Sequence, residues 1–215
     1  MNSCQRTATG GTSAILWLAV FFSVLIWSAI RPHDYFTWFM EVLPALIAVV
    51  ILAATYDRFP LTTLACWLIL AHSVILMIGG HYTYAEVPLF DWVRDVFHQG
   101  RNNYDKVGHF AQGFVPAIIA REILLRKTPL RPGGWLAFIT VSICLAISAL
   151  YELFEWAVAE ATGEAAEAFL GTQGYQWDTQ SDMAFAFLGA LAAVVLLSRY
   201  HDAQLSRIDR GGGKR

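Results

Sequence analysis

The chain has 215 residues, of which 56% are hydrophobic and 15% are charged, and its formal net charge is −2. Soluble domains average roughly 45–50% apolar and about 25% charged residues. This composition therefore excludes a disordered chain and an ordinary water-soluble enzyme, and the near-neutral charge gives no basic field for nucleic acid. Continuous apolar stretches without two-residue alternation also exclude an outer-membrane barrel. An all-α polytopic membrane protein, with the lipid bilayer as its partner, is the class that remains.

Six apolar runs are each long enough, at about 20 residues, to cross a bilayer as a helix. They cover residues 13–30, 35–54, 62–82, 105–125, 134–161 and 180–199. We predict a transmembrane helical bundle with six spans, forming a single integral membrane domain over residues 1–215 with polar cytoplasmic ends at 1–12 and 200–215. The first run could instead be a cleaved signal peptide, although no Ala-x-Ala cleavage pattern follows it.

Basic residues between the runs indicate the orientation, because cytoplasmic loops carry the excess of Lys and Arg. With the N-terminus inside, nine basic residues are cytoplasmic: Arg6, Arg58, Arg126, Lys127, Arg131, Arg207, Arg210, Lys214 and Arg215. Three lie outside: Arg31, Arg94 and Arg101. This difference predicts that both termini are cytoplasmic.

An amphipathic segment, residues 88–97, lies between the third and fourth predicted spans. Leu89, Val93, Val96 and Phe97 fall on one helical face, and Pro88 suits a first helical turn. We interpret the segment as a short interfacial helix on the outer leaflet. A short helix packed over the mouth of the bundle is the alternative.

Ionisable residues are concentrated at the outer ends of the last three predicted spans. Asp105 and His109 are four residues apart, Glu152 and Glu155 three, and Asp178 and Asp182 four. Each pair shares one helical face. Charged groups in the membrane are costly unless they are paired, protonated or bound to a cation, so they indicate function. The pattern predicts one water-accessible cluster of five carboxylates and one imidazole.

Oxygen ligands with one imidazole suit a divalent metal ion such as Mn, Fe, Zn or Mg. A metal-bound water would be a nucleophile at neutral pH, with a spare carboxylate as general base. The residues predicted to be both catalytic and metal-binding are Asp105, His109, Glu152, Glu155, Asp178 and Asp182. Without a metal, the like-charged carboxylates would form a proton-relay site instead.

Structural roles are the alternative for each residue of the cluster. Asp105 and Asp178 sit where helices begin and could cap them. His109 could be a core histidine, Glu152 could pair with Lys106 or an arginine, and Asp182 could lie in a wet vestibule.

Other polar residues have weaker indications. Glu41, His72 and His81 could surround the cluster, whereas Arg121 and Glu122 are interpreted as topology anchors near the inner surface. The segment from Gly163 to Trp177 could be a substrate lid, with a short re-entrant or interfacial helix over Ala165 to Leu170, or an ordinary connection.

Three fragments resemble the YjdF-like family of bacterial inner-membrane proteins. They are Arg101 to Phe110 (RNNYDKVGHF), Tyr151 to Trp156 (YELFEW), and Gly171 to Met183 around GTQG and WDTQ. The pattern departs at Tyr175, where many members of the family carry Asp, so the resemblance implies no ligand role at this position. The Asp-Lys-x-x-His-Phe piece is also similar, more weakly, to VanZ-like membrane proteins. The resemblance implies a multi-pass inner-membrane protein without an established reaction.

The leading hypothesis is a metal-dependent enzyme or a binding site at the outer, periplasmic face, acting on a lipid-linked or envelope substrate. A proton- or cation-coupled transporter is the first alternative, and it requires a polar path to the cytoplasmic side. A membrane scaffold whose acidic pairs only cap helices is the second.

Overall fold

A computed structural model of the chain describes residues 8–162 and 172–212. Within these residues the structure has seven α-helices, one 3₁₀ helix and no strand. The helices are α1 (Ala8–Ala29), α2 (Tyr35–Thr55), α3 (Thr63–Tyr82), α4 (Pro88–Val96), α5 (Tyr104–Lys127), α6 (Gly134–Thr162) and α7 (Asp178–Gly212), and the 3₁₀ helix is Tyr84–Glu86. The predicted all-α class is confirmed. The prediction of a helix over Ala165 to Leu170 falls outside the described residues.

Every predicted apolar run coincides with a long helix. Four of these helices, α2, α3, α6 and α7, are long and apolar enough to cross a membrane. The apolar part of α1, Ser13–Ala29, is shorter, and α5 carries many polar residues. The last helix also continues well beyond residue 199, where the apolar run ends, because polar residues follow it without a helix-breaking Pro before Gly212.

Side-chain caps mark where two of the helices begin. The Asp34 carboxylate accepts a 2.7 Å hydrogen bond from the Thr37 backbone N–H, and the Thr62 hydroxyl accepts one from Ala65. Such caps satisfy N–H groups that have no partner inside the helix. The hydrogen bond from Thr37 holds the pKa of Asp34 below its usual range, so this cap is a carboxylate at neutral pH.

Helix α5 is the centre of the bundle and packs against α3, α6 and α7, whereas α1 and α2 pack on α3. Its contact with α7 depends on glycine. A Cβ atom built on Gly113 would lie 1.7 Å from the Ala186 carbonyl oxygen, and one on Gly189 would lie 2.0 Å from that of Phe110. Small residues allow membrane helices to approach this closely, and Ala186, buried at the interface, continues the pattern.

Two apolar clusters hold the bundle together. Phe21, Val42 and Met77 belong to the first, which joins α1, α2 and α3 and includes Val115 of α5. Ile118 and Cys144 belong to the second, between α3, α5, α6 and α7. Polar groups lie at one end of the bundle, outside these clusters. This end carries α4 and the segments before α5 and α7. We call it the α4 end.

Candidate functional site

The structure brings the six predicted site residues together at the α4 end, on the inward faces of three helices. Asp105 and His109 come from α5, Glu152 and Glu155 from α6, and Asp178 and Asp182 from α7. Each is between 4% and 9% exposed. The side chains are therefore removed from lipid and most solvent, as the cost of charge in a membrane requires.

Lys106 lies at the centre of the three aspartates. Its Nζ donates hydrogen bonds of 2.6 Å to Asp182 and 2.8 Å to Asp178, and it is 3.5 Å from Asp105. The buried ammonium compensates the negative charges of the aspartates. Removing the lysine or an aspartate would leave the remaining ion without an opposite charge. The alternative pairing of Lys106 with Glu152 is wrong, because the aspartates occupy the ammonium.

Arg101 adds a second cation at the edge of the cluster. Its guanidinium donates to Asp178 at 2.5 Å and to Asp105 at 2.6 Å. The ring of Tyr175 lies above both cations, with its centroid 5.5 Å from Cζ of Arg101 and 5.8 Å from Nζ of Lys106. Such contacts are typical of cation–π interactions. Tyr175, 43% exposed, covers the mouth of the cluster.

His109 connects the aspartates to the glutamates on α6. Its Nδ1 is 3.1 Å from the Gln112 side-chain oxygen and 3.8 Å from Glu152, whereas its Nε2 is 3.7 Å from Asp182. One side-chain oxygen of Glu152 is buried and has no hydrogen-bond partner in the described part of the chain. His109 therefore stands between two carboxylates, with no direct hydrogen bond to either.

A cavity of about 260 Å³ opens beside His109 and extends into the bundle. Besides Asp105 and His109, the polar residues that line it are Glu41, His72, Ser73, Tyr84, Gln112, Tyr151 and Glu155. Burial raises the pKa of Tyr84 well above its usual range, so its hydroxyl remains protonated and can donate to Glu41, with which it interacts. The expectation that Glu41 and His72 surround the cluster agrees with this placement. His81 lies elsewhere, with Nδ1 3.1 Å from the Ser28 carbonyl oxygen.

The deeper wall of the cavity is apolar. Ala48, Ile69, Val115 and Ile119 line it. Ile119 is 14 residues from Asp105 on the same helix, which corresponds to about 21 Å at 1.5 Å per residue. The cavity thus has a charged mouth and an apolar interior, an arrangement that matches an amphiphile.

Gln173 fastens the segment before α7 to the segment before α5. Its side chain accepts a 3.0 Å hydrogen bond from the Asn102 backbone N–H and donates a 2.8 Å bond to the Asn102 carbonyl. Asn102 is fully buried and donates from its side chain to Val87 and Asp91. These bonds hold Arg101 and Tyr175 over the carboxylates.

A second polar network lies at the opposite end of the bundle. Glu122, fully buried, accepts hydrogen bonds from Thr62, Arg126 and His201, and Arg121 donates to Asp202. Arg121 and Glu122, interpreted from the sequence as topology anchors, are both buried and join helices inside the protein; their role in setting the orientation stays a prediction. The polar side chains of this network are hydrogen-bonded to one another, as expected of a network with a structural role.

Arg101 and Lys106 are the site residues that sequence reasoning missed. The spacing of four residues between Arg101 and Asp105 is typical of an ion pair on a helix. The segment before α5 has no helical hydrophobic pattern, so the sequence did not indicate that Arg101 faces the cluster. The capping alternative for Asp105 is also wrong, because Asn103 is the residue that precedes α5.

The architecture and site define a helical membrane protein with a buried acidic cluster at one end. The chain matches the family model described as "Predicted membrane protein (DUF2238)" over residues 13–203, and it belongs to that family. Inner membrane protein YjdF of Escherichia coli (strain K12) is 53% identical over 184 residues, which cover 86% of this chain and 88% of the relative. The resemblance to the YjdF-like family is confirmed. No solved structure matches.

Proposed function

We propose that this chain is a bacterial inner-membrane protein whose polar cluster binds or transforms a lipid-linked or envelope substrate at the periplasmic face, with the help of a bound cation. One observation carries the proposal: six buried carboxyl groups at the α4 end have two cationic side chains bonded to them within residues 8–162 and 172–212. The carboxyl groups are Glu41, Asp105, Glu152, Glu155, Asp178 and Asp182, and the cations are Arg101 and Lys106. Such an excess in a membrane favours a bound cation or bound protons.

The topology that accompanies this function has six spans. α5 belongs among them because its polar side chains, such as Lys106 and Glu122, are buried against neighbouring helices, which removes the penalty of lipid exposure. With both termini cytoplasmic, as the count of basic residues predicts, the α4 end faces the periplasm. Reporter fusions after residue 215 and in the segment near Gly163 test the orientation, and a periplasmic C-terminus would reverse it.

Helix α4 lies on the outer leaflet in this topology. None of its residues is buried, and Leu89, Val96 and Phe97 are each about half to two-thirds exposed. Apolar side chains this exposed are suited to the membrane interface. This exposure favours the interfacial helix over a helix that closes the bundle mouth.

The cavity supports a substrate with an apolar part. At about 260 Å³ it is slightly smaller than the roughly 300–1,000 Å³ of pockets that enclose a drug-sized ligand, so it would take one portion of a larger molecule. The apolar wall around Ile69 and Ile119 suits a hydrocarbon portion, and the carboxylates at the mouth suit a cationic or metal-bound head.

Native mass spectrometry of the detergent-purified protein tests this binding. We expect an amphiphile to co-purify with the wild-type protein and to be lost from Ala48→Phe, which fills the deep wall. The matched control is Ala184→Phe, because Ala184 is an exposed residue on α7. Equal retention of the amphiphile in both variants, or its absence from the wild-type protein, would contradict a substrate in this cavity.

Proton- or cation-coupled transport is a second candidate, and the depth of the cavity favours it. Ile119, at the deep end, is only two residues from Arg121 in the opposite network. A transporter would move protons or cations across proteoliposomes, and Glu155→Gln would abolish that flux. Binding of an amphiphile without any flux would exclude transport and support the first proposal.

A further inference from the structure

We propose that His109, Glu152 and Asp182 hold a divalent transition-metal ion at the α4 end, one ligand from each of α5, α6 and α7. The inference rests on the proposed function, because it specifies the cation that this function requires. One ligand atom from each residue lies within 4.8 Å of the other two. An imidazole with two carboxylates suits Mn²⁺, Fe²⁺ or Zn²⁺.

A second group of three ligands at the same end already has its cation. Asp105, Asp178 and Asp182 also lie within ligand range of one another, but the Lys106 ammonium bonds to two of them and lies 3.5 Å from the third. A metal ion there would have to displace a buried lysine. Asp182 belongs to both groups. A carboxylate has about four lone-pair positions, so Asp182 can accept a hydrogen bond from Lys106 and bind a metal ion at the same time.

The unpartnered oxygen of Glu152 is an independent indication of a ligand. Glu152 is 8% exposed, and its Oε1, which has no hydrogen-bond partner among the described residues, lies 3.8 Å from the ring of His109. A buried charged oxygen without a partner is more destabilising than a neutral polar group in the same position. A metal ion bound by Glu152 together with His109 and Asp182 would give this oxygen a partner.

The imidazole of His109 is oriented as in metal-binding histidines. The Gln112 side-chain oxygen lies 3.1 Å from Nδ1; an amide oxygen can only accept, so this contact is a hydrogen bond when Nδ1 carries the proton, and that tautomer leaves Nε2 with its lone pair. Metal-bound histidines almost always donate their second ring N–H to such an acceptor, which fixes the ring. Nε2 lies 3.7 Å from Oδ1 of Asp182, the oxygen that also accepts from Lys106, so a metal ion on Nε2 would share this carboxylate with the ammonium.

Metal binding is measured on the full-length protein in detergent after removal of bound metal with a chelator. The protein is incubated separately with Mn²⁺ and Zn²⁺, passed through a desalting column and analysed for metal content. We expect about one ion per chain for wild type, and affinities reduced by more than about tenfold in His109→Gln and Glu152→Gln. The control is Glu160→Gln, the same change at an exposed position of α6. Gel filtration establishes that each variant is folded.

Asp105→Asn distinguishes between the two groups of ligands, because Asp105 belongs only to the group around Lys106. Loss of the ion from Asp105→Asn, with retention in His109→Gln, would move the metal to the group that contains Lys106 and overturn the proposal. A wild-type protein that takes up neither ion would also overturn it. Retention of the amphiphile by such a metal-free protein would leave the proposed substrate site standing, so the two failures are distinguishable. With Co²⁺ as probe, a visible absorption band that is lost in His109→Gln provides a readout that does not depend on stability.

Discussion

The Lys106 ammonium lies 2.6 Å from the Asp182 carboxylate, although the two residues are 76 positions apart in the chain. This ion pair joins α5 to α7 at the α4 end and belongs to the only group of aspartates there that has its own lysine among the described residues. It divides the acidic cluster into a compensated part around Lys106 and a part around His109 and Glu152, where we propose the metal ion.

Replacing Lys106 with Met removes the ammonium and leaves its aspartates uncompensated in a buried site. We expect the free energy of unfolding to fall by about 3–5 kcal/mol, as when one partner of a buried ion pair is removed. Arg94→Met is the control, because Arg94 pairs with Asp91 and Asp95 where both partners are more exposed, and exposed pairs contribute roughly 0–1 kcal/mol. Unfolding in denaturant, followed by tryptophan fluorescence, provides the comparison. Equal losses in the two variants would contradict a buried, mutually dependent cluster.

Asp34 gives a pH-dependent contribution to the start of α2. Its native pKa lies below the ordinary value of 3.8 because its carboxylate accepts from the Thr37 backbone N–H. The stabilisation from its charge is therefore complete above the unfolded pKa and is lost as the pH falls through the native pKa. Asp34→Asn keeps the cap and removes the charge, so the stability difference between wild type and this variant should shrink on acidification.

Asp34→Ala removes the cap itself and should lower stability by about 0.5–2 kcal/mol at neutral pH. Thermal unfolding of the three proteins at neutral pH and below pH 3.8 tests both effects. A difference between wild type and Asp34→Asn that grows as the pH falls would have the wrong sign for this explanation.

Gly113→Ala tests the close contact between α5 and α7. The new Cβ would lie 1.7 Å from the Ala186 carbonyl oxygen, which is backbone and cannot turn aside, so the helices must separate. We expect a loss of at least the roughly 1–3 kcal/mol of an overpacked core. Gly134→Ala is the matched control, because a Cβ there meets nothing within 4 Å. Thermal unfolding should distinguish the variants, and a Gly113→Ala protein as stable as wild type would exclude tight packing at this contact.

Helices were predictable from this sequence because a bilayer imposes long apolar runs, and each run coincides with a helix. The site pairs were predictable because residues three or four apart on a helix share a face, as for Glu152 and Glu155. Convergence of the pairs required that successive helices alternate in direction and pack side by side. The number of spans and the role of the site remain predictions.

Partners across helices were not predictable from spacing. Lys106 is adjacent in sequence to Asp105, yet its strongest bonds are to Asp178 and Asp182 on another helix. Likewise, Glu122 near a basic run suggested an anchor at the membrane surface, and only packing against Thr62 and His201 shows that it is interior. Such contacts depend on how each helix is rotated about its axis. The hydrophobic pattern of a membrane helix determines this rotation only weakly, because the faces toward lipid and toward protein are both apolar.

Glu122→Gln tests whether the network opposite the α4 end is structural. Glu122 is fully buried, and its carboxylate accepts from the Thr62 hydroxyl at 2.7 Å, from Arg126 at 2.7 Å and from His201 at 3.1 Å. An amide replaces one of these acceptor oxygens with a donor, so some partners would face another N–H. We expect a loss of about 3–5 kcal/mol, against less than about 0.5 kcal/mol for the exposed Glu160→Gln.

A double-mutant cycle separates the ion pair from general damage. If Glu122 and Arg126 act through their direct 2.7 Å contact, combining Glu122→Gln with Arg126→Gln should give a coupling energy of about 0.5–3 kcal/mol. Additive losses would show that each residue stabilises the bundle by itself. Metal uptake at the α4 end should be unchanged in any Glu122→Gln protein that remains folded, because the two networks lie at opposite ends of α5. Loss of the ion from such a folded variant would instead connect the two ends and favour the transport alternative.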